Sequence, residues 1–404
     1  MSNQVFWDGQ AVLWDGDDTF WGAAPPPPVG PPAEAVQPST VLLARDGDGV
    51  RQGQIDDFTS LTVTARFNDA DTWVLDLPTS PVSALLLADG AGLVVERDGQ
   101  VLTSGPVVEV QRQVDAQGDR LTVAGVSDDV WLARRVALPD TSVAPAGYDV
   151  RTGQVSAVLS QYVDVNAGPS APLERRQVVL GTDPAVGSTV TGRARFQQLD
   201  VLLRQLALAG GDVGWKVVDL GGSLTFEVYQ PTDRTDQAVF SFDLGNLASF
   251  TSTTRAPEAN YLYVAGQGQL ENRTVVEGGD TAGIDRWGRI EQFADRRDTD
   301  DTGELVQARD ELLIEQAAQF GLALEPVDTV SLAFGTGYQL GDKVTVEVDG
   351  SPVVDVVRTV TITWDASGQT VVPSVQSASS RQMLRLFERQ RSLARRLADL
   401  ERAP

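Results

Sequence analysis

Two stretches of this chain run on one plan, and that plan limits the available folds more than any other feature. The first reads VVERDG (94–99), then VVEVQRQVDAQG (107–118), and the second reads VTVEVDG (344–350), then VVRTVTITWDASG (356–368). In each, alternating apolar residues run into an Asp-Gly pair, and a following run turns at Asp-Ala-x-Gly. Period-two alternation lays one face of a strand on a core, and Asp-Gly suits a tight hairpin turn. The spacing nearly matches, with 16 residues from Gly99 to Asp115 and 15 from Gly350 to Asp365. Any two pairs of β-hairpins share some of this pattern. The sharper reading is a barrel unit duplicated within one chain. Three chains of two like barrels would make a ring of six similar parts, able to sit flush on a six-fold object.

The 404 residues suffice for several domains. Residues 39–138 read as a first β-barrel, with LTVTARF (61–67) and WVLDLP (73–78) as strands and 93–102 as a hairpin through Asp98-Gly99. A short helical piece over 128–135 closes it. Residues 139–239 read as a mixed α/β domain. One helix over 154–163 carries Val155, Val158, Leu159 and Tyr162 on one face, and a second over 196–210 carries Phe196, Leu199, Leu202, Leu203 and Leu206. WKVVDLGGSLTFEVYQP (215–231) follows as a hairpin. Residues 240–378 read as a second β-barrel with one helix, which starts at an N-cap near Asp301, carries Leu305, Leu312, Leu313 and Phe320, and ends at Gly321. The expected fold class is therefore mainly β with an α+β insertion between two tube-like barrels.

The two ends depart from this pattern. Residues 1–23 form an aromatic arm holding Phe6, Trp7, Trp14, Phe20 and Trp21, with Trp-Asp-Gly at 7–9 and again at 14–16. Residues 24–38 are a proline-rich linker, stiff enough to reach roughly 40 Å as polyproline II. Such a density of large aromatics argues for a docking arm, since disordered tails are generally poor in them; a disordered tail is the plainer alternative. Residues 379–404 read as a coiled-coil helix. Met383, Gln390 and Leu397 fall at a, and Leu386, Leu393 and Leu400 at d. Arg396 at g could pair with Glu401 at e of a parallel neighbour. The competing reading is a single amphipathic helix lying on its own domain.

Composition removes whole classes of chemistry. The chain has no cysteine and no histidine, so disulfides, thiol nucleophiles, Ser-His-Asp triads and Cys/His zinc sites are excluded. A formal charge of −24 disfavours binding to nucleic acid, though a conduit through which DNA must slide is better negative than basic. No basic region with an apolar core opens the sequence, so no secretory signal is expected, and the most apolar window (83–95) is broken by Asp89 and glycines, so no spanning segment is expected either. Asp295, Asp298, Asp300 and Asp301 cluster in DRRDTDD, but the loop lacks the glycine and terminal glutamate of an EF-hand and reads better as a helix-capping loop. DGDG (46–49) reads as a hairpin turn. No catalytic residue, metal site or cofactor is assigned.

Several segments, taken in order, resemble one family. They include DDFTSLTVTARFNDADTWVLDLP (56–78), RDGQVLTSGPV (97–107), YVDVNAG (162–168), LTFEVYQPTDRT (224–235), FSFDLGNLASF (240–250), ANYLYVAGQG (259–268), RWGRIEQFADRRDTDD (286–301) and YQLGDKVTVEVDG (338–350). Over roughly residues 40–378 the chain is similar to the tail-hub, baseplate-hub or minor tail proteins of long-tailed siphophages, especially actinophages. The resemblance implies a structural, non-enzymatic virion protein, made in the host cytoplasm and placed at the distal end of the tail. It implies a homotrimeric ring that adapts a six-fold tube to a three-fold tip and surrounds the DNA channel. The implied partners are a hexameric distal tail protein, the tape measure protein and downstream tip or receptor-binding proteins, with DNA only in transit. Two other readings stay open: a carbohydrate-binding protein or glycoside hydrolase of a tail or cell surface, and an equivalent hub in a phage-derived particle such as a gene-transfer agent.

Overall fold

The computed structural model describes residues 4–7, 10–13, 39–116, 118–139, 147–297, 299–327, 332–348 and 351–377. The chain divides into two units, Met1–Gln37 and Pro38–Pro404. In the first, β1 (Gln4–Trp7) and β2 (Gln10–Leu13) pair antiparallel, with Gln4 opposite Leu13 and Trp7 opposite Gln10. Asp8 and Gly9 stand between them, where the sequence predicts a tight turn.

The second unit begins with β3 (Thr40–Arg45), β4 (Arg51–Gln54), β5 (Ser60–Arg66), β6 (Thr72–Pro78), β7 (Gly92–Arg97), β8 (Gln100–Asp115) and β9 (Gly118–Val126). The short α1 (Val130–Ala133) closes this segment. At the β7–β8 turn Asp98 and Gly99 take φ of 52° and 74°, the positive angles a two-residue primed turn demands. At the β3–β4 turn the Asp46 carboxylate accepts the N–H groups of Asp48 and Val50, so DGDG is a turn.

A mixed region follows: β10 (Asp149–Gln154), α2 (Val155–Asn166), β11 (Val179–Leu180), β12 (Thr189–Ala194), α3 (Leu199–Ala209), β13 (Gly214–Asp219) and β14 (Leu224–Tyr229). The predicted α2 face of Val155, Val158, Leu159 and Tyr162 is wholly buried, packed with Leu199, Leu202, Leu203 and Leu206 of α3. Phe196 departs from prediction. The helix starts only at Leu199, behind an extended Gln198, and Phe196 stands outside it at positive φ and 62% exposed. The bridge between Val136 and Gln198 fixes Gln198 as an extended residue and so delays the start of the helix.

The last segment holds β15 (Val239–Phe240), β16 (Leu247–Arg255), β17 (Tyr261–Ala265), β18 (Val275–Gly279), α4 (Thr281–Trp287), β19 (Glu291–Asp295), α5 (Thr302–Glu315), β20 (Gln319–Pro326), β21 (Lys343–Val348), β22 (Ser351–Asp365) and β23 (Gly368–Ser377). The predicted helix to Gly321 is shorter than expected. It ends at Glu315, and Gln319–Pro326 is a strand between β16 and β23. The reason is periodicity: Leu322 and Leu324 are buried while Gly321, Ala323 and Glu325 are not, a period of two that a helix cannot serve.

β7–β8–β9 and β21–β22–β23 are the same meander. The long middle strands pair by their first halves with the preceding strand and by their second halves with the following one. Register shifts at Val107/Glu109 and Val357/Thr359 mark the hand-over, and a bulge there bends the strand. In each repeat a further antiparallel pair, β5–β6 or β16–β20, adds to the outer strand of the meander. The second repeat alone carries an insertion, the three-stranded sheet β18-β17-β19 with α5 packed on it through Leu262, Val264 and Leu305.

The expectation of two separate barrels needs correction. The two repeats share one 13-stranded sheet, whose main path runs β16-β20-β23-β22-β5-β6-β9-β8-β7-β3-β4 with β21 and β15 branching from β22, and among the described residues it does not close. The second half of β22 finds its outer partner in β5 of the other repeat, so neither repeat closes on itself. One apolar core, from Leu42, Leu61 and Trp73 to Phe240, Leu322 and Val360, runs under both. The coiled-coil helix expected over 379–404 lies outside the described residues.

Candidate functional site

Strict alternation gives the large sheet two unlike faces. On β5, Leu61, Val63 and Ala65 are buried while Thr62, Thr64 and Arg66 reach the surface. The same alternation exposes Thr361 and Thr363 on β22 and Thr122 on β9. Cross-strand neighbours on this face pair by hydroxyls: Thr62 and Thr363 at 3.4 Å, Thr64 and Thr361 at 3.5 Å. Asp76 accepts from Ser60 Oγ at 2.8 Å and Thr122 Oγ1 at 2.6 Å. The face is therefore lined mainly by short hydroxyl side chains, with the Asp76 carboxylate held between two of them. Its basic groups are held: Arg66 donates to Ala70 O and Thr72 Oγ1, and Arg120 is paired with Asp115 at 2.6 Å.

Behind the first repeat a buried polar seam attaches the mixed region. Arg45 at the end of β3 donates to Asp128 at 2.6 Å and to Asp219 of β13 at 3.0 Å, all three almost fully buried. Asp128 also accepts from Ser104 Oγ at 2.7 Å and from the Trp131 indole N–H at 3.2 Å. β13 is an edge strand, and side chains from the first repeat satisfy its outward backbone. Asn68 accepts from Trp215 N and donates to Val213 O, while Asp129 accepts from Val217 N at 2.7 Å. Covering an edge in this way blocks further strand addition there.

Asp71 and Asp129 are both buried in this seam. Burial pushes both carboxyls up, and for Asp129 the neighbouring charges of Asp71 and Asp128 push the same way. The folded chain thus keeps protons that the unfolded chain, titrating near 4, has already lost. This contribution is fully present below that value and is lost as pH rises through neutrality. Unfolding by urea should therefore show stability declining from about pH 5 to about pH 8, and Asp129→Asn should flatten that decline. An unchanged slope in the variant would refute the assignment.

Of the residues assigned to sites from sequence, two are described. Phe6 and Trp7 are on β1, opposite Ala11 and Gln10. Trp14, Phe20 and Trp21 are outside the described residues, as are Met383, Leu386, Gln390, Leu393, Arg396, Leu397, Leu400 and Glu401. Asp301 stands just before α5 and its carboxylate accepts the Gly303 N–H, while Asp295 is taken by Arg273 and Arg297. Among the described residues no group of three or more acidic side chains is placed to hold a metal ion. No helix among them is long and apolar enough to cross a membrane.

A family model for siphovirus ReqiPepy6 Gp37-like proteins matches residues 41–375. The chain belongs to that family. Among solved structures it is similar to a tail protein from Neisseria meningitidis MC58, at 13% identity and TM-score 0.52, covering 84% of this chain and 96% of that one. It is also similar to the 43 kDa tail protein of prophage MuSo2 from Shewanella oneidensis, at 14% identity and TM-score 0.53, covering 83% and 98%. No curated protein matches the sequence. This Gp37-like chain thus has the fold of phage tail proteins, and the matched span takes in both repeats, the mixed region and the insertion. The tail-protein resemblance was legible in the order of short motifs. The polar wall was legible only locally, in runs such as LTVTARF, because its continuity depends on pairings between strands far apart in the chain.

Proposed function

We propose that the chain is the structural hub of a long phage tail, a virion component without catalytic activity that forms a homotrimeric ring at the distal end of the tail tube. The observation that carries this reading is the repeated meander joined edge to edge inside one chain. Two like units per chain give six per trimer, which suits docking onto a six-fold tube and presenting a three-fold tip. The insertion β17–β19 with α5 occurs in one repeat only, so it would recur three times around such a ring. The hydroxyl wall would face the conduit, where a passing polyanion needs a surface without free cations. The partners on this reading are a hexameric distal tail protein, the tape measure protein and downstream tip or receptor-binding proteins, with DNA only in transit. The aromatic arm would tether a neighbouring tail subunit, since tryptophan is favoured at interface hot spots.

Light scattering on the full chain and on a version lacking 379–404 tests the ring. A trimer in the full chain is the expected result. If the truncated chain dissociates, the terminal helix clamps the trimer through its a/d seam. If it stays trimeric, the sheet edges hold the ring. A full chain that is monomeric at every concentration would refute the reading.

A further inference from the structure

Within the chain, six consecutive residue pairs join the repeats, from Thr359 opposite Arg66 to Trp364 opposite Leu61. The same two kinds of edge recur at the far ends of the shared sheet. The second half of β8 pairs only with β9, and β16 pairs only with β20, so among the described residues each leaves one side of its backbone open. An open edge is a template for another strand.

The correspondence between repeats can be counted from register. Glu109 follows the β8 bulge opposite Ala124, as Thr359 follows the β22 bulge opposite Ser374. Asp115 meets Gly118 as Asp365 meets Gly368, so Val114 matches Trp364. On the other side Val74 pairs with Ala124 and Ala323 with Ser374. Hence Leu75 matches Leu324, and their partners Leu61 and Phe250 match in turn. Counting on, Arg66 matches Arg255.

We propose that Glu109–Val114 of one copy takes Phe250–Arg255 of a second copy as its antiparallel neighbour, in the register of the internal joint. Glu109 then lies opposite Arg255, Gln111 opposite Thr253, Gln113 opposite Thr251 and Val114 opposite Phe250. This rests on the ring reading and adds which edges meet and how they align. Three features beyond symmetry support it. Glu109 and Arg255, both exposed, meet with opposite charge at one end of the joint. Val110 and Val114 are 39% and 68% exposed, whereas their counterparts Val360 and Trp364 are 0% and 7% exposed. The added strand brings the missing cover. Finally, the alternation keeps Gln111, Gln113, Thr251 and Thr253 on the hydroxyl wall, which a one-residue slip would turn inward. The contact is head to tail, and such a contact closes into a ring when its rotation permits.

The test uses the full chain, which has no cysteine of its own. Gln111→Cys with Thr253→Cys places thiols where the internal counterparts Thr361 and Thr64 hold hydroxyls 3.5 Å apart. Mild oxidation should link copies into dimers and then trimers on a non-reducing gel, with no ladder beyond. Gln113→Cys with Thr253→Cys, two residues out of register, should not link. Glu109→Arg should raise the concentration for half-assembly by roughly tenfold, because like charges then face each other at every joint. Glu109→Arg combined with Arg255→Glu should restore it. A trimer by mass in which the in-register pair fails to link, or only the shifted pair links, overturns the register and leaves the ring standing. A chain that never assembles overturns both, and a ladder beyond trimer overturns closure.

Discussion

Replacing Arg45 with methionine should destabilise the protein by about 3–5 kcal/mol, the usual cost of removing one partner from a buried ion pair. Methionine fills much the same volume, so the loss is electrostatic rather than steric. Asp128 and Asp219 would both lose their cation in the interior, and Asp128 would keep only the neutral donors Ser104 and Trp131. Burial opposes the arginine charge, but the hydrogen bonds and charges of Asp128 and Asp219 outweigh it and hold the guanidinium firmly ionised. The remedy is as informative as the lesion. Adding Asp128→Asn and Asp219→Asn to Arg45→Met removes the stranded charges and should recover part of the stability, since much of the loss comes from uncompensated buried charge. Denaturant unfolding of the single and triple variants measures both. A single variant within about 1 kcal/mol of the parent would show that the seam is not what holds the mixed region.

The second large effect is expected at Trp73. This side chain, on the second residue of β6, is fully buried in the core beneath the polar wall. Its ring lies against Gly125 of the neighbouring β9, where a Cβ would collide with it. Trp73→Ala should therefore cost about 3–5 kcal/mol, the transfer of a large aromatic plus the cavity it leaves. Trp73→Phe should cost clearly less. The indole N–H has no hydrogen-bond partner among the described residues, so phenylalanine removes an unsatisfied donor along with some volume. Thermal unfolding of the two variants separates them, and equal losses would mean that packing against Gly125 is not the source of the effect.

How far the fold could be read follows from which forces act locally. Period-two and period-3.6 patterns are properties of neighbouring residues, so the meanders, the α2 face and the Asp98-Gly99 turn were all visible in the string. The errors arose where a neighbour in space outvoted a neighbour in sequence. Phe196 has the spacing of the α3 face, yet the Val136–Gln198 bridge keeps it outside the helix. Phe320 has helical spacing with Leu313, yet β16 and β23 flank the segment and draw it into the sheet.

The candidate site divides the same way. Alternating threonines announced a strand with a polar face, but nothing in LTVTARF says that its neighbour is TVTITW, almost three hundred residues later. Arg45, Asp128 and Asp219 are unremarkable singly in a chain with 56 acidic residues, and become a buried seam only when three elements converge. By itself, then, the sequence determined the repeat, the element types, the chemistry that histidine and cysteine would have supplied, and the family. Tertiary structure alone decided that the repeats share one open sheet, which edges remain unpaired, and which charges are buried. Backbone hydrogen bonds between strands carry no residue identity, so pairing across a long chain is settled by packing of the whole and not by any local run of residues.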